Sequence, residues 1–582
     1  ALTCHYRIAV PSAKCGLPEV NLGLLPGAGG TQRLPRVVGV EKALQMVTSG
    51  QHVPAKQCLE MGLVDEISNE DNLRQDSISF AKKIVSENRP LVKISEMNDK
   101  VEAARGNENI FKDFRASIAR KARGFLAPEY NIQCIEAAVN KSFTEGIKVE
   151  RKLFMELVTG TQSAAQRYAF FAQRQVAKIP DIEPDTEIKP FTSIGVIGAG
   201  TMGGGISMNF ANVGIPVTII EQSQERLDKG LGIIRKNYEN TANKGRITFE
   251  DVEKRTKLIN GSTDINDLSN CDLIIEAVFE NMDLKKDIFK TLDGIAKKGT
   301  ILATNTSALD VNEIAAVTSR PEDVIGLHFF SPANVMRLLE IVRGEKTSKS
   351  VVATSMKMAK NIGKVAAVVG VCPGFVGNRI LAQRQREANK LILEGAMPWE
   401  VDDALFNFGF PMGPFAMSDL AGLDIGWDED LSTGDTLRDK LCEAGRLGQK
   451  TGKGFYIYDE NRNKSPDEEV EKLIIEFSEK HQIKRREISK EEILERCLYP
   501  MINEGFKILE EGMAIRASDI DIVWINGYGW PIYEGGPMFY GQLIGYDKIL
   551  KWHKEMEEKF GSDFTPSPYL EKVVNEKINL FG

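Results

Sequence analysis

The 582-residue chain is 42% apolar and 27% charged, an ordinary globular mixture at roughly three times the length where single cores begin to split, so about three to five domains are expected. Its net charge of −8 comes without a dense basic run, which excludes nucleic acid or an anionic membrane surface as a partner. Eight cysteines without CxxC spacing argue against a disulfide framework and a zinc site, so a reducing compartment and no metal are expected. No apolar run approaches the roughly 18 residues of a membrane span, so the chain is read as soluble, with no membrane insertion.

Residues 1–10, "ALTCHYRIAV", read as a helix end running into a strand, with no initiator Met and no lead-in. That start is what a fragment would show. "GLPEVNLGLLPGAGGT" (16–31) is a set of Gly/Pro turns, followed by amphipathic helical stretches near 41–63 and 71–87, the tail of an α/β domain. From 88 to 185 the pattern is almost entirely helical, and 145–178 has no proline, so it is expected to form one long connecting helix. "IPDIEPDTEIKP" (179–190), with three prolines, marks a domain boundary.

Short apolar runs then alternate with helical segments: "SIGVIG", "VTIIE", "DLIIEAV", "TILATNTS", "VIGLHFF" and "AAVVG", between 193 and 370. They predict a parallel sheet covered on both faces. Beyond Pro373 the chain reads as helical to its end. There, 379–415 and 496–539 echo each other: an Arg, a Glu-Gly fifteen residues on, an Asp, then an aromatic/Gly stretch ending in Gly-Pro. One helical unit is duplicated.

"SIGVIGAGTMGGGI" places Gly198, Gly200 and Gly203 as G-x-G-x-x-G between a strand and a helix, with Glu221 closing the next strand. In that unit Gly198 permits the turn, Gly200 admits a pyrophosphate, Gly203 allows helix–strand packing, and the helix N-terminus receives the negative charge. Glu221 would bind ribose hydroxyls and repel a 2′-phosphate, which favours NAD over NADP. The chain has five histidines; His328 ends a predicted strand, where doubly wound sheets place their ligands. Glu340, twelve residues on, is far enough for the chain to turn back and hold the imidazole, as alcohol oxidation requires of its base. The plain alternative is a structural histidine among phenylalanines.

The set "GAGTMG", "EAVFEN", "TNTSALDV", "HFFSPANVMRLLEIV", "GFVGNRI" and "GQKTGKGFY", in that order over 190–582, closely resembles the L-3-hydroxyacyl-CoA dehydrogenases. The resemblance implies that His328 is the general acid/base and Glu340 its orienting partner. It implies that Ser307 and Asn378 hydrogen-bond the reacting hydroxyl or the thioester carbonyl, and that Glu280, Lys285 and Lys450 help to hold NAD. Asp310 reads better as a helix cap. "GLPEVNLGLLPGAGGTQRLP" with "HYRIA" resembles the second half of the enoyl-CoA hydratase (crotonase) core. There Glu19 would be one of two catalytic glutamates, with its partner and the oxyanion-hole glycines expected before Ala1; the plain alternative is a loop acid.

Taken together the chain resembles the type 1 multifunctional enzymes of β-oxidation, N-terminally truncated. The implied fold is α/β plus all-α: part of a spiral-type crotonase domain (1–87), a helical linker (88–188), a Rossmann NAD-binding domain (189–372) and a duplicated helical domain (373–482 and 483–582). The substrates would be acyl-CoA thioesters. An enoyl-CoA isomerase plus dehydrogenase is the alternative within the enzymes, and a non-catalytic NAD- or CoA-binding protein the alternative outside them. The C-terminal "NLFG" is not the SKL-type peroxisomal tripeptide, so a bacterial cytoplasm is favoured over a peroxisomal matrix. A monomer is expected, and a dimer is compatible with the same sequence.

Overall fold

The computed structural model describes residues 1–581 and divides into two compact units, 1–170 with 532–535, and 171–531 with 536–581.

In the first unit, residues 1–5 form a turn rather than a helix end, and two-residue strands follow: Ile8–Ala9 pairs with Glu66–Ile67, and Lys14–Cys15 with Val53–Pro54. The helical stretch expected at 41–63 is interrupted because Gly50 takes a left-handed conformation (φ 64°), which ends a helix. Helices α1 (Gly30–Val38) and α2 (Val40–Ser49) contribute Leu34, Val37, Leu44 and Val47 to a core that also takes Ile94, Phe111, Ile132 and Val139. The helices after residue 88 therefore share the hydrophobic core of the segment before it.

The single helix expected over 145–178 is two: α3 (Phe143–Thr159), opened by a reciprocal Ser142/Glu145 capping box, and α4 (Thr161–Val176). Gly160 between them is extended, with ψ 155°. Gly followed by β-branched Thr is a weak helical pair, and no proline is needed to break there.

The second unit is built on eight strands: β1 (Ile194–Ile197), β2 (Val217–Ile220), β3 (Ile259–Ser262), β4 (Leu273–Glu276), β5 (Ile301–Thr304), β6 (Val324–Phe329), β7 (Leu338–Arg343) and β8 (Val365–Gly370). Their spatial order is β8-β7-β6-β5-β4-β1-β2-β3. The sheet is mixed rather than wholly parallel, because β7 runs antiparallel to β6. Two strands escape the apolar-run reading: β3 is an edge strand reading Ile-Asn-Gly-Ser, and β7 carries Glu340 in its middle. One apolar core runs from Ile179 through Val196, Ile275, Leu327 and Ile341 to Val368.

Beyond the sheet come α6 (Gly377–Glu394), α7 (Pro398–Phe408) and α8 (Pro414–Ala421), then their echo α9 (Lys490–Glu510), α10 (Ala517–Gly527) and α11 (Pro537–Ile544). Helix α5 (Thr201–Asn212) follows β1. The repeats share a capping device. Asp402 accepts from the backbone N–H groups of Phe415 and Ala416 (both 2.9 Å) at the start of α8, and Asp521 from Met538 (2.7 Å) and Phe539 (3.1 Å) at the start of α11. Gly413 and Gly536 leave room for it, since a Cβ on either would lie 2.3 Å from that aspartate.

Candidate active site

The glycine loop leaves β1 and enters α5. Gly198 has φ 101°, and a Cβ there would stand 2.7 Å from the Ala277 carbonyl oxygen; one on Gly203 would stand 1.8 Å from that of Gly198. Both are steric requirements of the turn. Gly200 differs, because a Cβ on it would meet nothing: it borders a cleft of about 480 Å³ lined also by Thr201, Glu221, Arg226 and Phe279. A bare backbone beside a cleft, at the N-terminus of a twelve-residue helix, fits a dinucleotide pyrophosphate. Glu221 sits at the end of β2 in the same cleft, accepting from the N–H of Gln222 (2.6 Å) and of Ala199 (3.4 Å).

Most polar groups of "TNTSALDV" (304–311) are engaged inside the protein. Thr304 donates to Glu276 (2.8 Å), whose other oxygen accepts from Lys285 (2.7 Å). Asn305 accepts from the N–H of Phe329 (2.9 Å), and Asp310 caps the helix that follows through the N–H of Asn312 (2.7 Å). Thr306 donates to Glu280 (2.6 Å), which also accepts from the N–H and the hydroxyl of Ser307 (2.8 and 3.2 Å). Burial works to raise the Glu280 carboxyl, but the hydrogen bonds from Thr306 and Ser307 and the Lys285 ammonium at 3.4 Å outweigh it and hold it below the ordinary value. Lys285 is 1% exposed and Glu276 wholly buried. The contacts of Lys285 are thus inside the protein, where it joins Glu276 at the end of β4 to Glu280.

The antiparallel turn from β6 to β7 sets His328 directly opposite Glu340, and directly opposed residues project to one face. The result is a 2.7 Å contact between His328 Nδ1 and Glu340 Oε2, with His328 5% exposed and Glu340 at zero. Glu340 Oε1 accepts from the N–H of Gly377 (2.9 Å) at the start of α6. With Nδ1–H donating to the carboxylate, Nε2 is left with its lone pair. The imidazole lies against Phe330 and Phe375, at centroid distances of 4.3 and 5.8 Å, which keeps bulk water from its sides. Next to Gly377, Asn378 reaches the Ser307 carbonyl (Nδ2 to O, 3.4 Å) and accepts on Oδ1 from the Tyr528 hydroxyl (2.7 Å).

Ser307, His328, Glu340 and Asn378 are therefore linked through one small group of contacts. Lys450 lies apart from them in a short turn, Gln449–Thr451, where it pairs with Asp424 at 2.5 Å. Sequence reasoning did not single out Glu276, Phe330, Phe375 or Tyr528. Only Glu276 left a signal, an acid closing an apolar run beside the cofactor loop.

In the first unit, Glu19 lies on the turn Pro18–Leu22 and lines a separate cleft of about 580 Å³ with Cys15, Gly29, Arg33 and Met46. Its Oε2 is buried without a hydrogen-bond partner among the described residues, and burial pushes the carboxyl above its ordinary value. An unpaired, raised carboxyl at a cleft wall is equipped to give or take a proton.

The chain matches the family described as "3-hydroxyacyl-CoA dehydrogenase, NAD binding domain" over 193–372, the corresponding C-terminal domain twice, over 374–458 and 493–579, and "Enoyl-CoA hydratase/isomerase" over 1–121. It is 42% identical to the peroxisomal bifunctional enzyme of Cavia porcellus and 41% to that of Homo sapiens, covering 99% of this chain and 83% of each relative. Among solved structures it resembles the dehydrogenase part of multifunctional enzyme 1 from C. elegans (33% identity, TM-score 0.54, 70% of this chain and 96% of that one). It also resembles the 3-hydroxybutyryl-CoA dehydrogenase of Escherichia coli (26%, TM-score 0.57, 66% and 99%). A cofactor loop, a carboxylate-held histidine, a second cleft with an unpaired glutamate and these matches along the whole chain converge: the chain belongs to the type 1 multifunctional enzymes of fatty-acid β-oxidation, which join an enoyl-CoA hydratase to an NAD-dependent 3-hydroxyacyl-CoA dehydrogenase.

Proposed function

We propose that His328 is the general acid/base of L-3-hydroxyacyl-CoA oxidation, and that the observation carrying this is the buried cross-strand contact between its Nδ1 and Glu340. NAD, when bound, supplies the acceptor for the hydride that leaves C3. His328 Nε2 takes the proton of the 3-hydroxyl as the C3–O double bond forms, and the Glu340 carboxylate stabilises the imidazolium that results. Ser307 and Asn378 orient the hydroxyl and the thioester carbonyl, so that C–H and O–H break together in one geometry. Gly200 lets the backbone approach the pyrophosphate, on a turn that Gly198 and Gly203 make possible. Glu221 binds the adenosine ribose and selects NAD over NADP. Glu280 and Lys285 support the cofactor side by fixing the strand end that carries Ser307, and Lys450 is assigned to the same side on the motif "GQKTGKGFY".

In the intact hydratase domain, Glu19 serves as one of the two carboxyl groups that give and take protons at the enoyl double bond. Hydration is the leading reading, and double-bond isomerisation the second, because the matched family is described for both. The substrates are acyl-CoA thioesters. The relatives named are peroxisomal, and a peroxisomal matrix for this chain rests on that likeness; those relatives lend no support to a bacterial cytoplasm. Domain limits at 188 and 372, and a monomer, complete the reading; the limits expected at 87 and 482 are crossed by a shared core and by buried ion pairs.

His328→Ala in the full chain tests it. NADH formation from L-3-hydroxyacyl-CoA should fall by about 10²–10⁴-fold, the range for a lost general acid/base, with NAD affinity retained. Turnover near that of the unaltered chain would reject the role.

A further inference from the structure

We propose that Tyr528, which belongs to the second helical repeat, is a positioning residue that sets the side-chain amide of Asn378 for the oxidation step. The inference rests on the role given above to Asn378. An asparagine amide has one oxygen that only accepts and one NH2 that only donates. In this site the oxygen accepts from the Tyr528 hydroxyl at 2.7 Å, and the NH2 is turned to the opposite side, 3.4 Å from the Ser307 carbonyl. The phenol can donate at any working pH, since burial and the nearby Glu340 carboxylate push it well above its ordinary value. Remove that donor and only the long 3.4 Å contact with the Ser307 carbonyl still favours this orientation, so the amide holds it only part of the time.

The surroundings show that the tyrosine is held for this contact. Its ring stacks on Trp524 (centroids 4.5 Å apart, 23° between planes) and meets the edge of Phe330 at 5.4 Å, and Phe330 in turn lies against His328. A Cβ on Gly377 would lie 2.4 Å from the Tyr528 hydroxyl oxygen, so only glycine at 377 admits the phenol to this turn. The N–H of that glycine is the one that binds Glu340. One turn of backbone thus meets the orienting carboxylate, the amide and the phenol.

The duplication makes the arrangement one-sided. Counting from the shared Asp402 and Asp521, the first repeat has Gly409 where the second has Tyr528; counting from Arg379 and Arg496, the second has Glu495 where the first has Asn378. The first repeat supplies the amide and the second supplies the group that aims it.

The test is Tyr528→Phe in the full chain, which keeps the ring contacts and removes only the hydroxyl. NADH formation from L-3-hydroxyacyl-CoA should show kcat reduced about tenfold, the size of one mid-strength hydrogen bond, with unchanged KM for NAD and unchanged Tm. In Asn378→Ala the same change should have no further effect, because its target is gone. Full kcat in Tyr528→Phe with a slowed Asn378→Ala would overturn the inference and leave the role of Asn378 standing. Effects that multiply in the double variant would also overturn it. Asn378→Ala turning over like the unaltered chain would overturn both.

Discussion

Glu340→Gln isolates what a buried carboxylate does for His328. Both of its oxygens are in use as acceptors, one from His328 Nδ1 at 2.7 Å and one from the N–H of Gly377 at 2.9 Å. A glutamine of the same shape has only one acceptor. If its oxygen serves Gly377, its NH2 faces Nδ1, and the imidazole must move its proton to Nε2, the nitrogen that should receive the substrate's. If the oxygen serves Nδ1, two N–H groups confront each other at Gly377 in a site without water access, which costs about 1–3 kcal/mol. In either case the negative charge opposite the developing imidazolium is lost. At a charge separation of about 4 Å and an effective dielectric constant of about 20 that attraction is about 4 kcal/mol, or about 10³-fold in rate. The assay is steady-state NADH formation from L-3-hydroxyacyl-CoA, with NAD affinity measured separately by fluorescence. We expect kcat to fall by about 10³-fold while NAD affinity holds, because Glu340 is not part of the glycine loop. A kcat within about threefold of the unaltered chain would refute the argument, since no packing of glutamine against those two donors preserves both the tautomer and the charge.

Gly203→Ala places a Cβ 1.8 Å from the Gly198 carbonyl oxygen, so α5 must shift away from the loop; NAD affinity should fall at least about tenfold, roughly 1.4 kcal/mol, in a fluorescence titration. In the intact protein, Glu19→Gln should abolish hydration of trans-2-enoyl-CoA and leave oxidation of the hydroxy substrate untouched, read by following the two reactions side by side. The same variant predicts a pH signature: because burial raises the folded carboxyl, ionising it opposes folding, and that cost sets in as pH climbs from the ordinary carboxylate range through the raised value. The Tm of Glu19→Gln should therefore match the unaltered chain at acid pH and exceed it at neutral pH.

The parts of the site that were legible in the sequence are those whose chemistry is local. Gly198, Gly200 and Gly203 act within one strand–turn–helix, so their spacing alone carries their roles. His328 was legible because it ends an apolar run. The pairing with Glu340 was legible only as a distance along the chain; its physical basis is an antiparallel register, and the strand that provides it was hidden because a buried glutamate breaks its apolar run. Lys285 shows the opposite limit. The resemblance assigns Lys285 to the cofactor side, and what no resemblance shows is that the fold places it at 1% exposure, paired with Glu276. A buried pair of that kind depends on which strand ends become neighbours, and nothing local encodes it.

The duplicated tail carries this distinction furthest. An Arg and a Glu-Gly at equal spacing in both repeats read as two paired copies of one unit. In the fold the arginines are exchanged: Arg379 of α6 pairs with Glu504 (2.6 Å) of α9 and with Glu511 (2.5 Å) just past its end, and Arg496 of α9 pairs with Glu387 (2.9 Å) and Glu394 (2.5 Å) of α6. The offset that carries Arg379 onto Arg496 carries Glu387 onto Glu504 and Glu394 onto Glu511, so the two sets of pairs are the same contact made twice across a local two-fold. Arg496 is 1% exposed and Glu387 wholly buried. Replacing Arg496 by an uncharged residue would leave Glu387 buried without its main partner, a loss of about 3–5 kcal/mol. The repeats are therefore one folding body, with α6 and α9 locked face to face, and this lock is what gives Tyr528 a fixed position relative to Asn378. A residue of the second copy can orient an amide of the first only because neither copy is free to move alone.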